Sequence, residues 1–348
     1  MTPLKTWIEQ GSILEKDISR RIWITRYFMV IGIIVLHLPP YQPMSEMGHH
    51  WFDYLRAFFG EGVFRATVPV LTAMSGYLVF YSGLHLKPLQ LLKKKTTSVF
   101  VPLLLWNIPL VIAVYFVQRY QVLSHDFSAQ LHPINFKNWL DALIGLTANP
   151  VNYPLNFLRD LFVVSLLSPL YWLLLKRIPY WGFLIVFVIY YFKLEGPLVL
   201  RNTMLVSFYI GALAATQQWD LKRLDRYAWP LLMAFVAICI VIVAFKIENR
   251  EVFLVVSPLI VWPMMSLLAK TQFGDWVYQY SRASFFTFLS HGPIILVAYM
   301  VFSKLGPDLP YQIYWFGAPV LTVLLAIGLN KLFHKLTPRI AGVFLGGR

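Results

Sequence analysis

An arginine and a histidine share one apolar stretch near the N-terminus, Arg26-Tyr-Phe-Met-Val-Ile-Gly-Ile-Ile-Val-Leu-His37. A helix turns about 100° per residue, so His37 returns to within about 20° of Arg26, some 16 Å along the axis. Val30 and Ile33 lie between them on that face. An imidazole can take a proton from a hydroxyl near neutral pH, and a guanidinium can hold phosphate or carboxylate in a two-pronged contact. A plainer reading stands beside this one: Arg26 snorkels to headgroups and His37 caps the helix end.

Other polar residues interrupt apolar runs. His291 lies in Ser284-Phe-Phe-Thr-Phe-Leu-Ser290-His291-Gly-Pro293, where Pro293 disturbs the helix and tolerates a polar cavity. Tyr153-Pro-Leu-Asn-Phe-Leu-Arg159-Asp160-Leu holds either an interfacial ion pair or a substrate contact. Ser75-Gly76-Tyr77, with Pro69 upstream, marks a broken helix whose small residues serve close packing or a site. Lys93, Lys94 and Lys95 are either a basic flank or an attractor for a polyanion. Glu46, His49, His50 and Asp53 would align on a helix. They lack a tight His-x-x-x-His pair, so no metal site is expected. Glycine-rich phosphate loops, Gly-x-Ser-x-Gly elbows and Cys-x-x-Cys pairs are absent.

The frame that must hold these residues follows from composition. The 348 residues are 58% hydrophobic and only 13% charged, with a mean hydropathy of +0.62. This excludes a soluble globular enzyme, a disordered chain and a secreted disulfide scaffold. The single Cys239 cannot form an intrachain disulfide. Apolar runs of bilayer length, about 20 residues, fall near 22–38, 63–82, 98–119, 155–176, 180–195, 197–216, 228–246, 251–270, 284–303 and 314–334. The expectation is an all-α polytopic bundle of about ten transmembrane helices, comprising residues 22–336. A cytoplasmic N-terminal segment, 1–21, and a cytoplasmic C-terminal tail, 337–348, flank it. The fifth and sixth runs are closely interrupted by Glu195, Gly196 and Pro197.

The net charge of +14 is explained largely by orientation. With the N-terminus inside, segments 5–21, 87–95, 176–177, 222–226, 270–282 and 331–348 hold 19 of the 30 Lys and Arg residues. That bias places both termini in the cytoplasm and leaves no nucleic-acid patch, since no reading motif accompanies it. An aromatic amphipathic stretch at 51–59 and another around 136–146 suit the outer interface.

Taken together, four of these elements resemble the acyltransferase 3 family of membrane acyltransferases. The Arg26–His37 spacing is one. Phe64-Arg-Ala-Thr-Val-Pro69-Val-Leu-Thr-Ala-Met-Ser75-Gly76-Tyr77-Leu is similar to the family's second span. Tyr153-Pro-Leu-Asn-Phe-Leu-Arg159-Asp160-Leu is similar to its Trp-Phe-Leu-Arg-Asp-Leu stretch, with Asn156 where Trp is common. Phe288-Leu-Ser-His291-Gly-Pro293 is similar to its late Tyr-x-x-His-x-Pro element. The chain departs at Lys93-Lys-Lys-Thr-Thr-Ser, where many members carry Arg-x-x-Arg. The appended extracellular esterase-like domain of some members is not expected here. This short form and the Leu38-Pro-Pro-Tyr-Gln-Pro flank resemble the exopolysaccharide-modifying members, the succinoglycan type among them.

The resemblance implies a bacterial inner-membrane enzyme. It would move an acetyl or succinyl group from cytosolic acyl-CoA to a sugar hydroxyl of a polysaccharide or its lipid-linked precursor. No bound cofactor is implied. His37 would be the general base and Arg26 the donor-side cation. Arg159, Ser75, His291, Lys94 and Lys95 would position substrates. A transporter or flippase for a glycan or organic anion is the rival expectation, although no matched pair of broken spans marks two inverted halves. A purely structural or sensory role leaves Arg26 and His37 without a task.

Overall fold

The computed structural model describes residues 15–121, 129–306 and 308–347. Lys5 and Arg348, counted in the basic segments above, lie outside them, as do most of the 1–21 segment and residues 122–128. Helices and short turns make up the described residues, with no β-strand among them. Lipid imposes this outcome, because a helix satisfies each backbone N–H and C=O within its own segment. The helices that frame the site are α1 (Lys16–Leu36), α2 (Thr67–Tyr81), α3 (Asn156–Leu166), α4 (Thr203–Thr216) and α5 (Ser284–Leu305).

Among the described residues, six helices are long and apolar enough to cross a bilayer. They are Trp51–Tyr81, Pro88–Tyr120, Asp225–Ala244, Glu251–Leu268, Gln272–Lys304 and Tyr311–Leu336. Tyr153–Leu166 and Ser168–Arg177 make a seventh if counted as one span bent by 50°. Ten crossings are therefore more than length and apolarity alone support. Three of the expected runs account for the difference. The first is helical as α1, but it carries Lys16, Asp17, Arg20, Arg21 and Arg26. The fifth forms Pro179–Tyr191, with 13 residues, and the sixth forms α4, with 14. Such helices span about 20 Å, against about 30 Å of hydrocarbon.

Short α4 is nonetheless central. Every residue from Met204 to Ala215 is buried, the pattern of a helix enclosed by protein on all sides. Its backbone touches that of α2. A Cβ added to Gly211 would lie 1.8 Å from the Ala73 carbonyl oxygen, and one on Gly76 would lie 2.2 Å from that of Phe208. Small residues create this close approach, which replaces the hydrophobic drive that lipid removes.

Helix α1 links two chemically different ends. Near its start, Arg20 pairs with Asp275, and Arg21 holds Asp225 through bonds of 2.5 and 2.9 Å. Lys222 reaches Glu15 at 2.6 Å. At the far end His37 is the C-cap, its backbone N–H directed to the Ile34 and Val35 carbonyls.

Both expected surface stretches are helical. The one at 51–59 is not a separate cap, because a π-turn at Phe58–Gly62 and a 3-10 turn at Val63–Ala66 run it into α2. The other is Phe136–Ile144. There, burial alone would raise the Asp141 carboxyl, but the backbone and hydroxyl of Thr147 more than offset this and hold it below its usual value. These bonds shape the turn that follows Gly145. In the C-terminal segment, Pro338–Phe344 is helical, and the Phe344 carbonyl accepts from Trp106 Nε1 at 3.3 Å.

Gly211→Ala is expected to destabilise the protein by about 1–3 kcal/mol or more, since only backbone faces the new methyl group. Gly317→Ala, which meets open space, should be neutral. Thermal unfolding in detergent checks the contrast.

Candidate active site

The His37 ring meets the His291 ring across the α1–α5 interface. His291 is fully buried, and its Nδ1 lies 2.6 Å from the Phe288 carbonyl oxygen. A carbonyl only accepts, so Nδ1 carries the proton and donates it. With both rings neutral, His291 Nε2 is then an acceptor, and it faces His37 Nδ1 at 3.1 Å. The pattern assigns the His37 proton to Nδ1 and its lone pair to Nε2. Thus His37 does cap its helix, and it is also held in a defined tautomer.

A second ring completes this end of the site. Tyr153 packs edge-on to His37, with centroids 5.8 Å apart. Gly292 permits the approach, because a Cβ there would lie 2.9 Å from Asn152 Oδ1. The Tyr153 hydroxyl accepts from Arg201 Nη2 at 3.4 Å, and the Arg201 guanidinium lies 5.7 Å from the Tyr153 ring centre.

Arg159, expected as a substrate contact, is bonded within the protein. Its Nε donates to the Gly145 carbonyl at 2.8 Å, and Nη1 donates to Asp160 Oδ1 at 2.8 Å and to the Leu198 carbonyl at 2.6 Å. Nη2 donates to the Leu146 and Pro197 carbonyls, each at 3.0 Å. All five N–H donors of the guanidinium are thereby used. Asp160, with 0% exposure, also accepts from the Leu200 and Arg201 backbone N–H groups at 3.1 and 2.7 Å. The Arg159–Asp160 pair therefore staples two loops to α3 and has no donor left for a substrate.

Arg26 lies one helix length away, at a cavity of its own. Its guanidinium lies 5.1 Å from the Trp23 ring centre, and among the described residues it has no ion pair. It lines a cavity of about 60 Å³ with Ser75, Val30, Val99, Ser284, Phe157 and Phe288. That volume admits a few water-sized molecules. Ser75 donates to the Leu71 carbonyl at 2.9 Å, which leaves its oxygen free to accept. Phe288 lies between the two groups, since it lines the Arg26 cavity and packs 5.7 Å from His291. Lys94 is exposed and Lys95 half-buried at the end of Pro88–Lys95; neither lines this cavity, although Val99, one turn on, does.

The structure thus unites His37 with His291, and Arg26 with Ser75, and sets Arg159 and Lys94 apart from both pairs. Sequence reasoning missed Arg201. Its signal is a lone charge between the break at Gly196-Pro197 and an apolar run. It also missed Glu61, which is buried and binds Arg65 at 2.6 Å as well as Arg250. The acid four residues before an arginine was its trace. His50 and Asp53 form a capping box for Trp51–Ala57. Among the described residues, no three His, Cys, Asp or Glu side chains gather as a metal site would need.

Residues 21–331 match the family described as an acyltransferase domain. The chain belongs to the acyltransferase 3 family. It is an O-acyltransferase of that type, and its apolar helices make it a multi-pass membrane protein. It is also 31% identical over 350 residues to the succinoglycan biosynthesis protein ExoH of Rhizobium meliloti (strain 1021). That match covers 96% of this chain and 94% of the relative. No solved structure matches it.

If His291 fixes the His37 tautomer, His291→Phe should lower kcat about 10- to 100-fold, the usual cost of losing an orienting partner. His291→Gln, whose carbonyl can accept the same proton, should retain more. Steady-state rates at matched membrane expression test the order.

Proposed function

We propose that the chain transfers an acyl group, acetyl or succinyl, from cytosolic acyl-CoA to a sugar hydroxyl. The acceptor is a cell-envelope or secreted polysaccharide or its lipid-linked precursor. The observation that carries this reading is the chain from the Phe288 carbonyl through His291 to His37, which leaves His37 Nε2 unprotonated. Acyl transfer needs a base that removes the hydroxyl proton as oxygen attacks the thioester carbon. The C–O bond forms, the C–S bond breaks, and the proton passes from His37 Nε2 to the leaving thiolate. An acyl-His37 intermediate would use the same lone pair as nucleophile.

Arg26 takes a narrower role than first expected. Eleven residues of continuous helix put it about 16 Å from His37. One reacting carbonyl cannot touch both, so Arg26 binds the donor at a point remote from the thioester carbon. The cavity beside it must widen to admit an acyl-CoA arm.

We infer ten crossings with both termini inside. Every expected apolar run contains a helix, and the basic segments at 16–21, 222–226 and 270–282 meet at one end through Arg20–Asp275 and Arg21–Asp225. The donor enters from the Arg26 side, and the acceptor reaches His37 from the other. The chain's similarity to a succinoglycan biosynthesis protein supports a polysaccharide acceptor.

In proteoliposomes given radiolabelled acyl-CoA and glycan, His37→Ala should cut label transfer about 100- to 10,000-fold. Unchanged transfer would sink the general-base role, and glycan crossing the bilayer unlabelled would favour a transporter. Arg26→Gln should raise KM for the donor with a smaller change in kcat, because it removes binding away from the reacting atoms.

A further inference from the structure

The arginines around the His37 end are committed to partners, with one exception. Arg65 and Arg250 both bind Glu61. Arg56 donates to Gln42 Oε1 at 3.1 Å and to the Pro40 carbonyl at 2.9 Å. Arg159 is saturated. Arg201 differs: its guanidinium has one hydrogen bond, to the neutral Tyr153 hydroxyl, and no ion pair among the described residues. A guanidinium has five donors, so four are unused. The group is half-buried at the edge of a low-dielectric slab, where an unpaired cation is costly and is kept for a task.

Its placement is also unusually firm. The Arg201 backbone N–H is pinned by Asp160, which Arg159 neutralises, and Arg159 also holds the Pro197 and Leu198 carbonyls. The segment is fixed before any ligand arrives, which lowers the entropic cost of binding. Tyr153 is shared by both groups, its ring centre 5.7 Å from the Arg201 guanidinium and 5.8 Å from the His37 ring. A ligand a few atoms long can therefore reach both.

We propose that Arg201, with the Tyr153 hydroxyl, is a carboxylate-binding site beside His37 that selects reactants carrying a free carboxylate. A planar guanidinium with free donors matches a carboxylate by two parallel N–H bonds. The carboxylate is either the distal one of a dicarboxylic acyl group or that of an acidic sugar in the acceptor. The inference rests on the acyl-transfer reading above for its place in the reaction. The binding site itself stands on Arg201 alone.

The test uses the full chain in lipid nanodiscs with acetyl-CoA or succinyl-CoA, each offered with a neutral or a uronate-bearing oligosaccharide. The readout is the ratio of kcat/KM for the carboxylate-bearing reactant to that for its neutral counterpart. In Arg201→Gln this ratio should fall about 10- to 100-fold, mainly through KM, the scale of a lost charge-assisted contact. Arg201→Lys should recover part of it. A fall confined to succinyl-CoA assigns the carboxylate to the acyl group, and one confined to the uronate assigns it to the acceptor. Ratios that stay constant, including the case where all four rates drop together, overturn the proposal. Calorimetric binding of succinate and glucuronate to the same nanodiscs reads the site without turnover, and equal affinity in Arg201→Gln and the parent chain also overturns it. A parent chain that binds a carboxylate yet transfers nothing counts against the acyl-transfer reading alone.

Discussion

In a slab that excludes water, a polar side chain must find its partner within the protein, and Asp160 shows how much follows from one such pairing. Its carboxylate is sealed from solvent and receives a guanidinium and two backbone N–H groups. Losing one partner of a buried pair costs about 3–5 kcal/mol, so the geometry around it is tightly specified. Through Arg159 it fixes the turn after Gly145 and the Pro197–Leu198 carbonyls. Through its own oxygens it fixes the backbone that presents Arg201. The same rule pairs His37 with His291 and gathers Arg65 and Arg250 on Glu61.

Charge at the opposite end obeys a weaker version of the rule. Arg20 and Arg21 read in sequence as orientation signals, and in the structure they join α1 to the segments that carry Asp275 and Asp225. One residue type thus does two jobs, because a headgroup region tolerates cations while neighbouring turns supply acids. Arg26 lies deeper, with the Trp23 ring against it and no ion pair among the described residues. Between the two ends, α2 and α4 bring backbone onto backbone through Gly76 and Gly211. That contact is rigid, so Ser75 holds its place on the cavity wall.

Much of this was legible in the residues. Apolar length announced the helices, and the surface stretches at 51–59 and 136–146 are helical as their amphipathicity suggested. His37 and His291 stood out as polar residues in apolar runs, and they prove to be one unit. The crossing count was less secure, because hydropathy cannot distinguish a helix facing lipid from one such as α4 that is enclosed by protein. Arg159, expected among the substrate contacts, instead has its donors engaged by the protein, and its sequence could not show this. An arginine at the membrane edge looks the same in sequence whether its donors are spent on loop carbonyls or left free.

What the sequence by itself determined is the membrane class, the helical content, the orientation bias and the pair of histidines, because each rests on local composition or periodicity. Only the tertiary structure decided which nitrogen of His37 carries the lone pair, since that depends on a carbonyl reached through a second helix. It also decided that Arg159 is spent and Arg201 is not. Those assignments depend on contacts between residues as far as 48 positions apart for the arginines and 254 for the histidines, where hydrogen-bond donors are counted one partner at a time. Periodicity carries no record of such pairings, and folding creates them.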